Sequence, residues 1–119
     1  MADSPLIIKS KEFALQIIKV CNYVKQTKKE SVLTNQLIRS GTSVGANIRE
    51  AFYGHGTADF IAKLQIALKE CSESEYWLEL FVKSDLLNRE IAKEIYNECG
   101  TIRKMLIASI NTAKRNIEK

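Results

Sequence analysis

Apolar side chains recur at intervals of three and four residues through four successive segments of this chain, and that period belongs to helices rather than strands. The first segment, from about residue 10 to 29, carries Phe13, Ile17, Val20 and Val24, widened by Ile18 and Cys21. The second, about 32 to 53, carries Leu33, Leu37, Val44, Ile48 and Phe52. The third, about 58 to 83, shows Phe60, Leu64, Ala67, Cys71, Leu78 and Phe81, thickened by Leu68, Trp77 and Leu80. The fourth, about 89 to 117, runs Ile91, Ile95, Cys99, Ile102, Leu106, Ile110, Ala113 and Ile117. Five glycines and one proline in 119 residues leave too few turn formers for an all-β sandwich. Four amphipathic helices with short connections form one all-α domain, an antiparallel up-down-up-down four-helix bundle.

The punctuation agrees with this pattern. Residues 1–8 read as a short N-terminal arm. Ser31, Thr57 and Asn88 stand where helix N-caps are expected, and Gly54-His55-Gly56 marks the second turn. The middle of the second helix is a run of small residues, Ser40 to Ala46, with Gly41 and Gly45 on one face. A glycine inside a helix costs about 1 kcal/mol relative to alanine, so the run predicts close approach of another helix. Gly100 within the fourth helix is tolerable if another backbone approaches it closely. The small-residue run lacks the spacing and the preceding strand of a phosphate-binding loop.

No apolar run nears the length of a membrane span, and Leu6 to Ile8 is too short a stretch for a signal peptide. The three cysteines, Cys21, Cys71 and Cys99, are widely spaced on apolar stripes and are expected as buried reduced thiols in a cytoplasmic protein. Catalysis has little to draw on. A single histidine, His55, sits between glycines with no evident partner, and the Glu-x-x-His pairs of a di-iron bundle are absent from the sequence. No enzyme activity, metal or cofactor is expected.

Charge is more informative than its total of +4. Residues 1–60 and 88–119 are each basic by three, whereas residues 61–87 are acidic by two. Lys25, Lys28 and Lys29 close the first helix, and Arg103, Lys104, Lys114 and Arg115 punctuate the fourth. These seven are the candidate contacts to a nucleic-acid backbone, the alternative being a solvated charged face. Aromatic residues do not interleave with them, so no single-strand stacking platform is evident. Glu70, Glu73, Glu75 and Glu79 crowd the third helix, where cations of the fourth helix or of a neighbouring subunit would relieve them. Arg39, Ser43, Asn47 and Glu50 share a flank of the second helix. With Glu70 they read either as a ligand site or as a structural network in which Arg39 pairs with Glu70 or Glu50 and Asn47 satisfies backbone. Adjacent Tyr76 and Trp77 cannot both enter one core. The outward one, with Tyr53 or Tyr96, could meet a neighbouring subunit, and ordinary boundary packing is the equal alternative.

The run LTNQLIRSGTSVGANIREA (Leu33 to Ala51) followed by DFIAKLQIALKECSESEYWLELF (Asp59 to Phe81) resembles a bacterial family of four helix bundle proteins. They are also called ribosomal-RNA intervening-sequence proteins, because some are encoded inside insertions in the large-subunit ribosomal RNA gene. Gln36, Leu37, Arg39, Ser40, Ser43, Val44, Ala46, Asn47, Ile48 and Glu50 carry the first half of the shared pattern; Phe60, Leu64, Ala67 and Glu70 carry the second. Ala51-Phe52 and the Gly54-His55-Gly56 turn depart from it. The resemblance implies a homopentamer of bundles around a central channel. A more distant likeness, to the accessory protein of diversity-generating retroelements, implies a nucleic-acid partner, RNA or DNA. A protein-interaction adaptor presenting repeated surfaces is the competing expectation.

Overall fold

The computed structural model describes residues 4–118, and Met1 to Asp3 of the expected arm lie outside them. Four helices follow in order: α1 Pro5–Lys28, α2 Val32–Tyr53, α3 Gly56–Lys83 and α4 Arg89–Glu118. Contacts run α1–α2, α2–α3, α3–α4 and α1–α4, which is the ring order of an up-down-up-down bundle. The molecule measures 52 × 23 × 23 Å.

The first helix starts earlier than its apolar period suggests. Residues 5–8 are helical, not an arm, because Ser4 and Pro5 form a cap. The Ser4 hydroxyl accepts from the amide of Ile7 at 3.2 Å, and Pro5 occupies the first turn, where its missing N–H costs nothing. Leu6 and Ile7 are thereby buried, extending the stripe about two turns upstream of Phe13. At the start of α2 the neighbour of the expected cap does the capping. Ser31 makes no side-chain cap bond, while the Glu30 carboxylate accepts from the amides of Leu33 at 2.8 Å and Thr34 at 3.1 Å. An acceptor carrying a full charge also complements the positive helix end. Thr57 falls inside α3, which begins at Gly56 with a φ of +81° that glycine alone adopts freely. Asn88 caps α4 as its sequence position indicates, accepting from Glu90 N at 2.7 Å.

Phe13, Ile17, Leu37, Val44, Ile48, Leu64, Leu78, Phe81, Ile102 and Leu106 fill the core, and all three free cysteines are buried among them. Four residues of the expected stripes are exposed instead: Ile18, Phe52, Ile91 and Ile117. Ile91 and Ile117 lie in the first and last turns of α4, beyond full cover by the neighbouring helices. Phe52 swings to the α2–α3 turn and meets Phe60 edge-on, with ring centroids 5.3 Å apart.

The small-residue run of α2 admits α1. A Cβ at Gly41 would lie 2.9 Å from both Cγ1 and Cγ2 of Ile17, and one at Gly45 would lie 3.3 Å from the Ser10 hydroxyl. Gly100 marks no comparable approach, since its nearest neighbour is Arg103 of its own helix. On the opposite side of α2, the Ser74 hydroxyl donates to that of Ser40 at 2.9 Å, joining α2 to α3 inside the core.

Two tests follow from this packing. Gly41→Ala should destabilise the protein by about 1 kcal/mol in urea unfolding, since overpacking of about 1–3 kcal/mol outweighs the gain in helix propensity. Adding Ile17→Val should recover part of the loss. Burial also pushes the Cys21 thiol from 9.0 up to about 12. The native thiol therefore holds its proton where the unfolded one loses it, and this stabilisation is complete below pH 9 and lost as pH climbs toward 12. Cys21→Ala should flatten that alkaline stretch of the stability curve.

Candidate nucleic-acid interface

The carboxylates of α3 are divided between its two neighbours. On one flank Arg39 of α2 bonds Glu70 at 3.2 Å and also Glu73. On the other, Arg103 of α4 bonds Glu75 at 2.9 Å, and the Tyr96 hydroxyl donates to Glu79 at 3.4 Å. Glu70 and Glu75 keep only 9% and 12% of their side chains exposed, so each needs its arginine. The Glu73 hydrogen bond, aided by Glu70, raises the Arg39 pKa further above its already high ordinary value. The nearby charge of Glu75, then burial and Glu79, pushes the Tyr96 phenol up.

The polar flank of α2 therefore resolves into separate contacts. Arg39 chooses Glu70 and Glu73. Ser43 donates to the Arg39 carbonyl at 2.6 Å, and Asn47 donates to the Ser43 carbonyl at 2.8 Å, both along their own helix. Glu50 lies apart, 3.9 Å from Lys63. Each motif residue thus has a structural partner. Among the described residues no group of His, Cys, Asp and Glu side chains is arranged to hold a metal ion.

The seven candidate cations do not form one surface. Lys25, Lys28 and Lys29 cluster where α1 ends. Lys114 and Arg115 lie at the opposite end of α4, about 38 Å further along that helix than Arg89 at ~1.5 Å per residue. Lys104 is exposed midway. Arg103, with 41% of its side chain exposed, is paired with Glu75, so it is not a free surface cation. What the linear order obscures is that Lys83, Arg89 and Lys93 arrive beside the α3–α4 turn, at the same end as Lys25, Lys28 and Lys29. None of these six appears in an ion pair among the described residues. The segments 24–30 and 83–93 hold six cations against three carboxylates. At the other end Lys9, Lys11, Arg49, Lys63, Lys114 and Arg115 gather with Glu12, Glu50 and Asp59 among them, while along the middle the carboxylates of α3 and α4 are nearly balanced by Lys19, Arg39, Lys69, Arg103 and Lys104. Adjacent basic residues are visible in the sequence; cations separated by a turn become neighbours only in the fold.

Aromatic side chains keep apart from these lysines. Tyr23, with 51% exposure, lies one turn from Lys19 on the side of α1 that faces α4, about 200° round the helix from Lys25. Tyr76 points outward and Trp77 is half-buried, their rings edge-on at 5.1 Å. Tyr53 is near the far end of the bundle, and Tyr96 turns to Glu79.

Arg39→Ala should lower stability by about 1–2 kcal/mol, because it strands the buried Glu70 carboxylate, discounted for the half-exposed arginine. Pairing it with Glu70→Gln should restore part of that loss. Equal losses in the single and double variants, by urea unfolding, would contradict the ion-pair account.

No curated protein matches the chain. A solved structure described as a protein of unknown function from the S23 ribosomal protein family of Bacteroides thetaiotaomicron is 47% identical. The match covers 88% of this chain and 97% of that one, with a TM-score of 0.87. The model of the 23S rRNA-intervening sequence protein family matches residues 3–108. With the bundle, the Arg39–Glu70 bond and the small-residue α2 already in place, the chain belongs to the 23S rRNA-intervening sequence protein family.

Proposed function

We propose that this protein is a non-enzymatic homo-oligomer, a pentamer of bundles, that grips the phosphate backbone of RNA or DNA through its basic ends. The observation that carries the reading is the collection of Lys25, Lys28, Lys29, Lys83, Arg89 and Lys93 at one end of a 52 Å bundle. The cross-section is 23 Å, so these six charges share a surface small enough to act together on a polyanion. Lys114 and Arg115 supply a second basic end, with Lys104 between. Such contact is governed by phosphate charge and is weakly selective for sequence. The pentamer follows from the family resemblance. Repetition around a ring would multiply the contacts and strengthen binding without new chemistry.

A second reading, a protein-interaction adaptor without nucleic-acid binding, draws on the outward apolar residues of α1. Ile8, Leu15 and Ile18 are 47%, 62% and 39% exposed. Such side chains suit a subunit contact or a protein partner equally well.

Protein stripped of nucleic acid should bind mixed-sequence RNA or DNA at about 50 mM salt and lose about 10³-fold or more in affinity by about 200 mM. Charge reversal at Lys28, Lys29, Arg89 and Lys93 should abolish binding and leave the oligomeric mass, measured by light scattering, unchanged. An intact oligomer that binds neither nucleic acid at low salt would favour the adaptor reading. A monomer at micromolar concentration would overturn the assembly.

A further inference from the structure

Two open grooves lie at the end of the bundle that carries the α3–α4 turn. The one between α1 and α4 has a single cation, Lys19, against Glu94. The other, of about 270 Å³, runs between α3 and α4 beside their turn. Its floor is apolar, made by Leu78 and Val82 of α3 and Ala92 of α4, with Tyr96 at the end away from the turn. Lys83, Arg89 and Lys93 line it as well, so three cations stand over that floor against one carboxylate, Glu79. We infer that this groove docks an acidic segment of another protein, which seats an apolar side chain on the floor and sets carboxylates against Lys83, Arg89 and Lys93. The inference goes beyond nucleic-acid binding and does not depend on it.

Charge complementarity selects the occupant. None of the three cations is in an ion pair among the described residues, and Glu79 already accepts from the Tyr96 hydroxyl at 3.4 Å. Lys83 comes from α3 and the other two from α4, so positive charge flanks the floor from both walls. Arg89 and Lys93 share one face of α4, about 6 Å apart along it at ~1.5 Å per residue. The aliphatic stems of all three can lie along the apolar walls while their charged heads stand at the rim. Such a site suits a ligand that carries an apolar group with negative charges around it. A nucleic-acid backbone would use the cations and leave the floor wet, since its phosphates bring no apolar group. A small molecule ordinarily takes an enclosing site of about 300–1,000 Å³. This groove is smaller and open, which suits a side chain projecting from a longer chain. An acidic peptide uses both parts, and the Arg89 guanidinium can meet a carboxylate with two parallel hydrogen bonds. Repulsion turns basic partners away, and the apolar contact sets such a segment apart from polyanions in general.

The test uses the full chain, free of nucleic acid, and a short fluorescent peptide of glutamates with a central leucine. Two companion peptides carry serine in place of the leucine, or glutamine in place of every glutamate, and a labelled RNA of mixed sequence serves for comparison. Binding is followed by fluorescence anisotropy and oligomeric mass by light scattering. The leucine peptide should bind and the glutamine peptide should not. The serine peptide should bind about 10-fold more weakly, the low end of what burial of one large apolar side chain supplies, because the groove is open. These changes are made in the peptide, so the protein's fold is the same throughout. A photoreactive diazirine analogue of the leucine should crosslink to Val82, Ala92 or Tyr96, read by mass spectrometry. Val82→Ser should weaken the leucine peptide toward the level of the serine peptide and leave RNA binding unchanged. Equal binding of the leucine and serine peptides would make the site a general polyanion surface and overturn the inference. Crosslinks confined to residues outside the groove would overturn it too. RNA binding without peptide binding would refute it and leave the nucleic-acid reading in place, whereas peptide binding without RNA binding would keep it and remove that reading. If no peptide binds and Val82→Ser lowers the oligomeric mass, the groove belongs to a second copy and the inference fails.

Discussion

Two carboxylates on α3 must be neutralised nearly out of water, and the arrangement of the bundle follows from how that is done. Glu70 and Glu75 lie on opposite flanks of the helix, and each is met by an arginine from a different neighbour. Hydrophobic burial drives the four helices together but is indifferent to small slides along their axes. An ion pair with little exposure is not indifferent, because a displaced partner leaves a charge stranded. Arg39 thereby sets the height of α2 against α3, and Arg103 sets that of α4. The Ser40–Ser74 hydrogen bond repeats the α2–α3 alignment one turn further along α3.

The third interface is held by shape. The α1–α2 contact depends on Gly41 leaving room for Ile17 and on Gly45 leaving room for Ser10. Side chains on α1 can thus be large where those on α2 are absent, and the two helices approach closely without a charged link. The α1–α4 pair has neither device. Its open groove is the part of the ring that the other three contacts do not close.

The helices themselves are legible in the sequence because a period of three to four residues is written in local order. Phe13, Ile17, Leu64 and Leu106 need nothing but their spacing. Asn88 is legible too, since capping is a local event. The start of α1 is obscured when Leu6 and Ile7 are read as a tail, although Ser4-Pro5 carries the signal. Glu30 displaces Ser31 because a longer, charged acceptor reaches the same amides. The site is harder to read. That Arg39 turns to Glu70 and Glu73 and not to Glu50 depends on helix rotation, which sequence spacing leaves open. Lys83, Arg89 and Lys93 look unremarkable while strung across a turn. They gain their interest from the end of α1 that the antiparallel topology sets beside them.

Three of the bundle's four helix contacts are fixed by means that dissolved ions barely reach. The Arg39–Glu70 and Arg103–Glu75 pairs keep both carboxylates almost out of water, and the α1–α2 contact is one of shape. Mobile ions screen exposed, separated charges over about 8–10 Å and buried pairs much less. The fold of one bundle is therefore set to hold across a span of ionic strength over which the reach of the lysines at its ends changes severalfold.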